Sequence, residues 1–310
     1  MKIVFLDRKS IGSDLDLSEF FELGDVVMYD FSTPGEACER SRDADIVIIN
    51  KTPINKETIG QAEHLKLVCV TATGTNNLDK EYLAQRGIAW RNVAGYSTDS
   101  VAQHTFALLF YVWEHLRYYD DYVKDGRYAG DRLFTHYDNT FCELSGKTWG
   151  IIGLGAIGRR VAGIAEAFGC RVQYFSTSGK NHTADYKEVG FDELLSTSDI
   201  ISIHAPLNDK TEGLIDSDAL LRMKKTAVLL NLGRGPIVVE KDLAKALESG
   251  VIAAAGLDVL CEEPMSKDSP FLGCHDSDRL FITPHIAWAS VEARTRLMHI
   301  IADQIREFIS

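Results

Sequence analysis

Short β-branched runs alternate with helical stretches along nearly the whole chain. In the first third, residues 3–6, 46–49, 67–70 and 88–90 read as strands, with helical stretches near 36–42, 57–63 and 79–86 between them. Unbroken apolar runs of four are how strands covered on both faces read. From about Thr98, apolar positions recur at helical spacing: Val101, Thr105, Leu108, Val112, Leu116 and Tyr119. That stripe predicts one long helix, ended by the charged and small residues of 120–131. A second alternating series then begins, with strands predicted at 148–152, 172–175, 200–204, 227–231, 252–258 and 281–283. The chain closes on an amphipathic stretch from Val291 to Ile309. This alternation predicts α/β architecture with parallel sheets, in two domains.

Composition narrows the function classes. A length of 310 residues fits about two domains and a core that needs no staples. The net charge of −12 argues against a general nucleic-acid or anionic-membrane binder, because phosphate attraction needs a basic surface. The longest apolar run, 106–113, is far short of the ~20 residues that span a bilayer. The first seven residues read as an opening strand, with no signal peptide. The six cysteines (38, 69, 142, 170, 261 and 274) form no C-x-x-C pair. Cys69 and Cys170 sit among apolar residues, as small hydrophobes do. No disulfide framework, zinc site or other metal site is expected, and the reading is a reduced, cytoplasmic protein.

Gly153-Leu154-Gly155-Ala156-Ile157-Gly158 fits G-x-G-x-x-G. Such a turn is weak evidence alone, but here it follows an apolar strand and opens a helix carrying Val161, Ala162, Ile164, Ala165 and Phe168. Gly169 stands where a C-terminal cap belongs, and the next strand follows. In that context the glycines let backbone approach a pyrophosphate at a helix N-terminus, which predicts a dinucleotide site. An NAD site commonly carries an acid about 20 residues on, for the ribose 2′-hydroxyl. None occurs between Glu166 and Asp185; the second strand instead runs into Ser176-Thr177-Ser178-Gly179-Lys180. Hydroxyls and a lysine can hold a 2′-phosphate, so NADP is favoured, with NAD and a merely polar turn still open.

Three polar residues stand past predicted strand ends, where open α/β sheets bind ligands: Arg234 in Asn231-Leu232-Gly233-Arg234-Gly235, Glu263 in Glu262-Glu263-Pro264, and His285 in Thr283-Pro284-His285. Singly, each reads more readily as a surface arginine, a loop glutamate or a capping histidine.

Together these motifs resemble the D-isomer-specific 2-hydroxyacid dehydrogenases. The resemblance rests on Gly153–Gly158, on N-L-G-R-G at 231–235, on G-L-D-V-L-C-E-E-P at 256–264 and on T-P-H at 283–285. It extends to A-T-G-T-N-N-L-D at 72–79 and V-A-Q-H at 101–104, although many members have Glu where this chain has Gln103. Within the family the chain is most similar to the hydroxypyruvate/glyoxylate reductase (glycerate dehydrogenase) branch.

The resemblance implies two Rossmann-like or flavodoxin-like domains with a cleft between them. A substrate domain would comprise 1–98 and 288–310, and a dinucleotide domain 99–287. It implies interconversion of 2-keto and D-2-hydroxy acids with NADP or NAD. His285 would be the acid in reduction and the base in oxidation, Glu263 would orient its ring, and Arg234 would grip the carboxylate and carbonyl through its planar fork. Ala72, Thr73 and Gly74 would hold the substrate carboxylate from the other domain. Around the cofactor it implies Gly153, Gly155, Ala156, Ile157 and Gly158 at the pyrophosphate, and Ser176, Thr177, Ser178 and Lys180 at the ribose. Ala205, Pro206 and Thr211 would border it; Leu232, Gly233, Arg234, Asp258 and His285 would approach its nicotinamide half. Asp258 also reads as a strand-end cap, Lys51 as a solvated loop lysine ahead of one near the anionic substrate, and Trp288 as either a pocket wall or packing. His104 and His204 read as core or hydrogen-bonded residues. The resemblance also implies a homodimer, as is usual in the family, with the helix after 98 and the segment 120–145 at its interface. The rival readings are a D-lactate dehydrogenase and a dinucleotide-sensing corepressor.

Overall fold

The computed structural model describes residues 1–180, 182–274 and 278–310. The chain divides into two compact units, Met1–Ser97 with Trp288–Ser310, and Thr98–Ala287. Among the described residues, no helix is long and apolar enough to cross a membrane.

The first unit is built on five parallel strands: β1 (Lys2–Phe5), β2 (Asp25–Met28), β3 (Ile46–Ile49), β4 (Leu67–Val70) and β5 (Ala89–Arg91), in the order β2-β1-β3-β4-β5. Side chains alternate between its faces with period two. Ile3, Phe5, Ile46, Ile48, Leu67 and Cys69 pack on one face, under Leu297, Ile301 and Ile305 of the C-terminal helix Val291–Ile309. Val4, Leu6, Val47, Ile49, Val68 and Val70 pack on the other, against Ala37, Ile59 and Leu83. Both faces are covered, which explains the unbroken apolar strands. Burial pushes the Cys69 thiol up to about 12. Trp288 joins the first of these cores, edge-on to Tyr96 at 6.3 Å. Strand β2 escapes the sequence reading because it is a short, half-exposed edge strand.

Strand order reverses between β1 and β3, the place where such sheets usually take a ligand. Here the protein fills that place with its own anion. The Asp7 carboxylate, 8% exposed, accepts the backbone N–H groups of Asn50 (2.8 Å), Lys51 (2.7 Å) and Thr52 (2.7 Å) and the Thr52 hydroxyl (2.9 Å). Asp7→Leu would strand three amides, each lost bond costing about 1–3 kcal/mol. A stability loss of roughly 3 kcal/mol or more is expected, read as a lower urea midpoint for the first unit; an unchanged midpoint would contradict this account of the turn.

The second unit carries seven parallel strands: β6 (Thr148–Ile152), β7 (Arg171–Phe175), β8 (Lys187–Glu188), β9 (Ile200–Ile203), β10 (Val228–Asn231), β11 (Ala254–Leu257) and β12 (Leu280–Ile282), in the order β12-β11-β10-β9-β6-β7-β8. From β6 the chain winds out to β7 and β8, then crosses to β9 on the other side. The carboxyl ends of β6 and β9 therefore flank a switch point.

One expectation fails here. The helix from Thr98 ends at Trp113, His115 takes a left-handed backbone (φ 53°), and a separate helix spans Leu116–Lys124. The buried stripe runs only to Val112, and Leu116 is exposed. Past Trp113, among the described residues, the helix Leu116–Lys124 buries no side chain. Instead the second helix packs its tyrosines on the following segment, with Tyr118 Oη 2.7 Å from His136 Nε2.

Candidate active site

The carboxyl edge of the seven-stranded sheet gathers the sequence motifs of the second unit. Strand β6 ends in the glycine turn, β7 in Ser176–Lys180, β9 in Ala205 and Pro206, β10 in the Arg234 loop, β11 in Asp258–Glu263, and β12 in Thr283–His285. Parallel pairing of β10 with β11 and of β11 with β12 makes the last three loops neighbours.

Gly153 has φ 92°, and a Cβ there would lie 2.8 Å from the Ala205 amide nitrogen. Only glycine lets the turn pass this close to the end of β9. Beyond it, a Cβ at Gly155 would meet nothing within 4 Å, and this residue caps the helix Ala156–Ala167 without a side chain. The first intrahelical bond in that turn is Arg159 N–H to Gly155 carbonyl (2.9 Å), so the amides ahead of it point out of the helix end. Open space before an uncapped helix N-terminus suits a pyrophosphate.

At the end of β7 the hydroxyls organise the turn. Ser176 Oγ accepts the Gly179 N–H (3.1 Å) and Ser178 Oγ accepts the Lys180 N–H (3.2 Å). Accepting leaves each hydroxyl its own proton to donate. Sequence reading passed over the neighbouring clamp: His182 Nδ1 lies 2.6 Å from Glu188 Oε2, and Nε2 lies 2.8 Å from the Gly179 carbonyl. Arg159 donates to the His182 carbonyl (3.4 Å), which ties the clamp to the helix after the glycine turn. The bond to Glu188, then the Gly179 carbonyl and the charge of Glu188, raise the pKa of His182 above the ordinary imidazole value.

Ala205 is buried and Thr211 wholly so, its hydroxyl donating to the Pro206 carbonyl (2.7 Å) and accepting the Asn208 N–H (2.9 Å). Thr211 shapes the loop after β9 from beneath. His204 is held by its backbone N–H to the Ile152 carbonyl (2.8 Å). Among the described residues its shielded ring nitrogens have no hydrogen-bond partner, and burial pushes its pKa down to about 3.

Glu263 and His285 meet: His285 Nδ1 lies 2.6 Å from Glu263 Oε2, and both side chains keep partial solvent access. Glu263 Oε1 accepts the Leu260 N–H (3.0 Å), which fixes the carboxylate as it fixes the ring. His285 itself adopts φ 55°, a conformation non-glycine residues rarely take. Its support is Asp258, 2% exposed, whose carboxylate accepts the N–H groups of Ile286 (2.9 Å) and Ala287 (2.9 Å) and the Thr283 hydroxyl (2.7 Å). The Asp258 carbonyl accepts the His285 N–H (2.8 Å). Asp258 thus has the geometry of a cap for the histidine loop.

Arg234 is partly buried and donates from Nη1 to the Gly233 carbonyl (2.7 Å), while Asn231 Nδ2 donates to the Arg234 carbonyl (3.0 Å). Gly235 closes the loop: a Cβ there would lie 1.9 Å from the Leu260 carbonyl carbon. A glycine is obligatory where the loop after β10 meets the backbone leading to Glu263.

In the first unit, the loop after β4 holds Ala72, Thr73 and Gly74. Thr73 Oγ1 donates to the Val93 carbonyl (2.9 Å), and Asn92 Nδ2 donates to the Thr73 carbonyl (2.7 Å). Lys51 is exposed on the Asp7-bound turn after β3.

Comparison with known proteins fits this arrangement. The family profile described as "D-isomer specific 2-hydroxyacid dehydrogenase, NAD binding domain" matches residues 106–287. A hydroxypyruvate reductase of Blautia hydrogenotrophica is 39% identical over 317 residues, covering 100% of this chain and 97% of that protein. A glycerate dehydrogenase of Methylorubrum extorquens is 36% identical over 310 residues, covering 100% and 96%. Among solved structures, an acyclic imino acid reductase (Bsp5) in complex with NADPH and D-Arg superposes with a TM-score of 0.87 at 33% identity, covering 100% and 97%. With such relatives matching it end to end, this chain belongs to the D-isomer specific 2-hydroxyacid dehydrogenases, an enzyme family that works with NAD(P).

Proposed function

We propose that this enzyme reduces hydroxypyruvate and glyoxylate to the corresponding 2-hydroxy acids with NADPH. The observation that carries the reading is the Glu263–His285 pair at 2.6 Å, set past β11 and β12 beside the Arg234 loop past β10. Relatives named hydroxypyruvate reductase and glycerate dehydrogenase favour these substrates.

The nicotinamide, when bound, supplies the hydride that reduces the carbonyl carbon. The protein's part is to bind, orient and protonate. Glu263 occupies Nδ1 of His285, so the proton passes from Nε2 to the developing alkoxide, and in oxidation it returns there. Arg234 holds the 2-keto acid by its carboxylate and polarises the carbonyl; its planar fork makes two parallel bonds that a lysine cannot. Ala72, Thr73 and Gly74 are assigned to the substrate carboxylate on motif alone. The unit 98–287 is the dinucleotide domain, and 1–97 with 288–310 the substrate domain. Around the cofactor, the amides of Gly155–Gly158 take the pyrophosphate, Ser176–Lys180 the adenosine ribose, and Ala205, Pro206 and Leu232–Arg234 the nicotinamide side.

NADP preference follows from the turn after β7, which presents hydroxyls and Lys180 in place of a carboxylate. Ser176→Asp keeps an acceptor for the Gly179 amide, so the turn survives while a 2′-phosphate is repelled. The expected result is at least a tenfold shift of kcat/KM from NADPH toward NADH, an ordinary size for one charged contact; equal losses with both cofactors would remove the turn as selector.

The His182 clamp adds a pH dependence. Both ring nitrogens face acceptors, so the clamp is complete only when the ring is protonated. A raised pKa means the clamp is present at low pH and is lost as pH rises through the raised value. KM for NADPH should therefore climb as pH rises through that raised value, and His182→Gln should flatten the climb; a flat wild-type profile would contradict this.

A homodimer is also proposed. Leu133, Phe134, Tyr137 and Phe141 are exposed on one short segment, Phe134 by 90%, more apolar surface than a lone protomer keeps without use. Sedimentation equilibrium giving the 34.5 kDa mass of one chain would refute it.

A further inference from the structure

We infer that His104, on a different element from the reacting groups, is a positioning residue for His285, acting through Thr283 and Asp258. The helix Thr98–Trp113 packs along β10, β11 and β12 and brings His104 Nε2 to 2.9 Å from Thr283 Oγ1. That hydroxyl has one proton, and it goes to Asp258 Oδ1 at 2.7 Å. The bond from His104 must then be an Nε2–H donated into the hydroxyl's lone pair. Burial, outweighing the carboxylate of Asp258 at 3.6 Å, lowers the pKa of His104, which suits a neutral Nε2–H donor.

The chain of bonds ends at the histidine loop. Thr283 lies two residues before His285; the Asp258 carboxylate it serves also holds the amides of Ile286 and Ala287, on the other side. Three consecutive residues, with His285 in a left-handed backbone, are thereby fixed by one buried residue: the Asp258 carbonyl takes the His285 N–H and its carboxylate takes those of Ile286 and Ala287. A non-glycine residue persists in that conformation only when its surroundings over-determine it. His104 completes those surroundings: it occupies the Thr283 lone pair and so commits the hydroxyl proton to Asp258. Without it the hydroxyl can turn, Asp258 loses a donor, and the loop that aims the His285 ring relaxes.

This inference rests on the proposed role of His285, so its test has one readout in turnover and one outside it. Wild type, His104→Leu, His104→Gln, Thr283→Val and the His104→Leu/Thr283→Val double variant are compared in steady-state reduction of hydroxypyruvate with NADPH. The same proteins are compared by backbone amide exchange at residues 285–287. His104→Leu and Thr283→Val should each lower kcat by about tenfold to a hundredfold, the scale of a misaimed catalytic group, with KM for NADPH unchanged. The double variant should lose no more than the worse single, because both break one chain. Gln, whose amide N–H reaches where Nε2–H did, should restore most of kcat. Amide exchange at 286 and 287 should quicken in the Leu and Val variants and not in the Gln variant. Multiplicative losses in the double variant, an equal loss with Gln, or unchanged exchange would each overturn the inference. If wild type turns over no 2-keto acid, the proposed function fails, and the exchange data still decide whether His104 holds the loop.

Discussion

His285→Gln is expected to lower kcat for 2-keto acid reduction by about 10³-fold or more, the upper range for a general acid, while leaving the Kd for NADPH within about twofold. Glutamine is polar and of similar reach, so it keeps the loop filled and can still bond to the Glu263 carboxylate. What it lacks is a proton that it can give up near neutral pH. The reaction needs one proton at the alkoxide oxygen for each hydride at the carbon, and nothing in Gln supplies it. The Glu263–His285 bond of 2.6 Å implies a companion effect: Glu263→Gln should reduce kcat less than the histidine change, because it loosens the ring without removing it. The diagnostic feature is the split between turnover and cofactor affinity. An intact kcat in His285→Gln would take the residue out of the chemistry.

The second large effect is expected at Arg234. Arg234→Lys keeps the charge but loses the fork, and also the Nη1 bond to the Gly233 carbonyl (2.7 Å) that holds the guanidinium over its own loop. A point charge can attract a carboxylate without aligning its carbonyl. kcat/KM for the 2-keto acid should fall about 10²-fold, the cost of losing one bidentate, charge-assisted contact together with its alignment. KM for the acid should rise while KM for NADPH barely moves. A lysine variant within twofold of wild type would show that charge alone suffices and that the planar geometry is idle.

Much of the fold was legible in the strands. Runs such as Ile46–Ile49 and Leu67–Val70 are apolar on both faces because helices cover both faces. The edge strands Asp25–Met28 and Lys187–Glu188 carry little such signal, since half or all of each faces solvent. The break at His115 was hidden because spacing alone kept Leu116 and Tyr119 on the stripe, whereas the core they would have joined stops at Val112. At the site, Gly153–Gly158, Arg234, Glu263 and His285 stood out because each lies in a motif past a strand end. Asp7, His104 and His182 did not, because each acts through bonds to residues 43, 179 and 6 positions away, and no local pattern announces such partners. The Ser176 turn falls between: its missing acid was visible in sequence, its Glu188-bound histidine was not.

The proposed reaction is tested most directly by kcat/KM for hydroxypyruvate, glyoxylate and pyruvate, each with NADPH and with NADH, on the purified enzyme. Turnover of hydroxypyruvate and glyoxylate is expected above that of pyruvate, and turnover with NADPH above that with NADH. Cofactor binding without turnover of any of the three acids would overturn the proposed reaction.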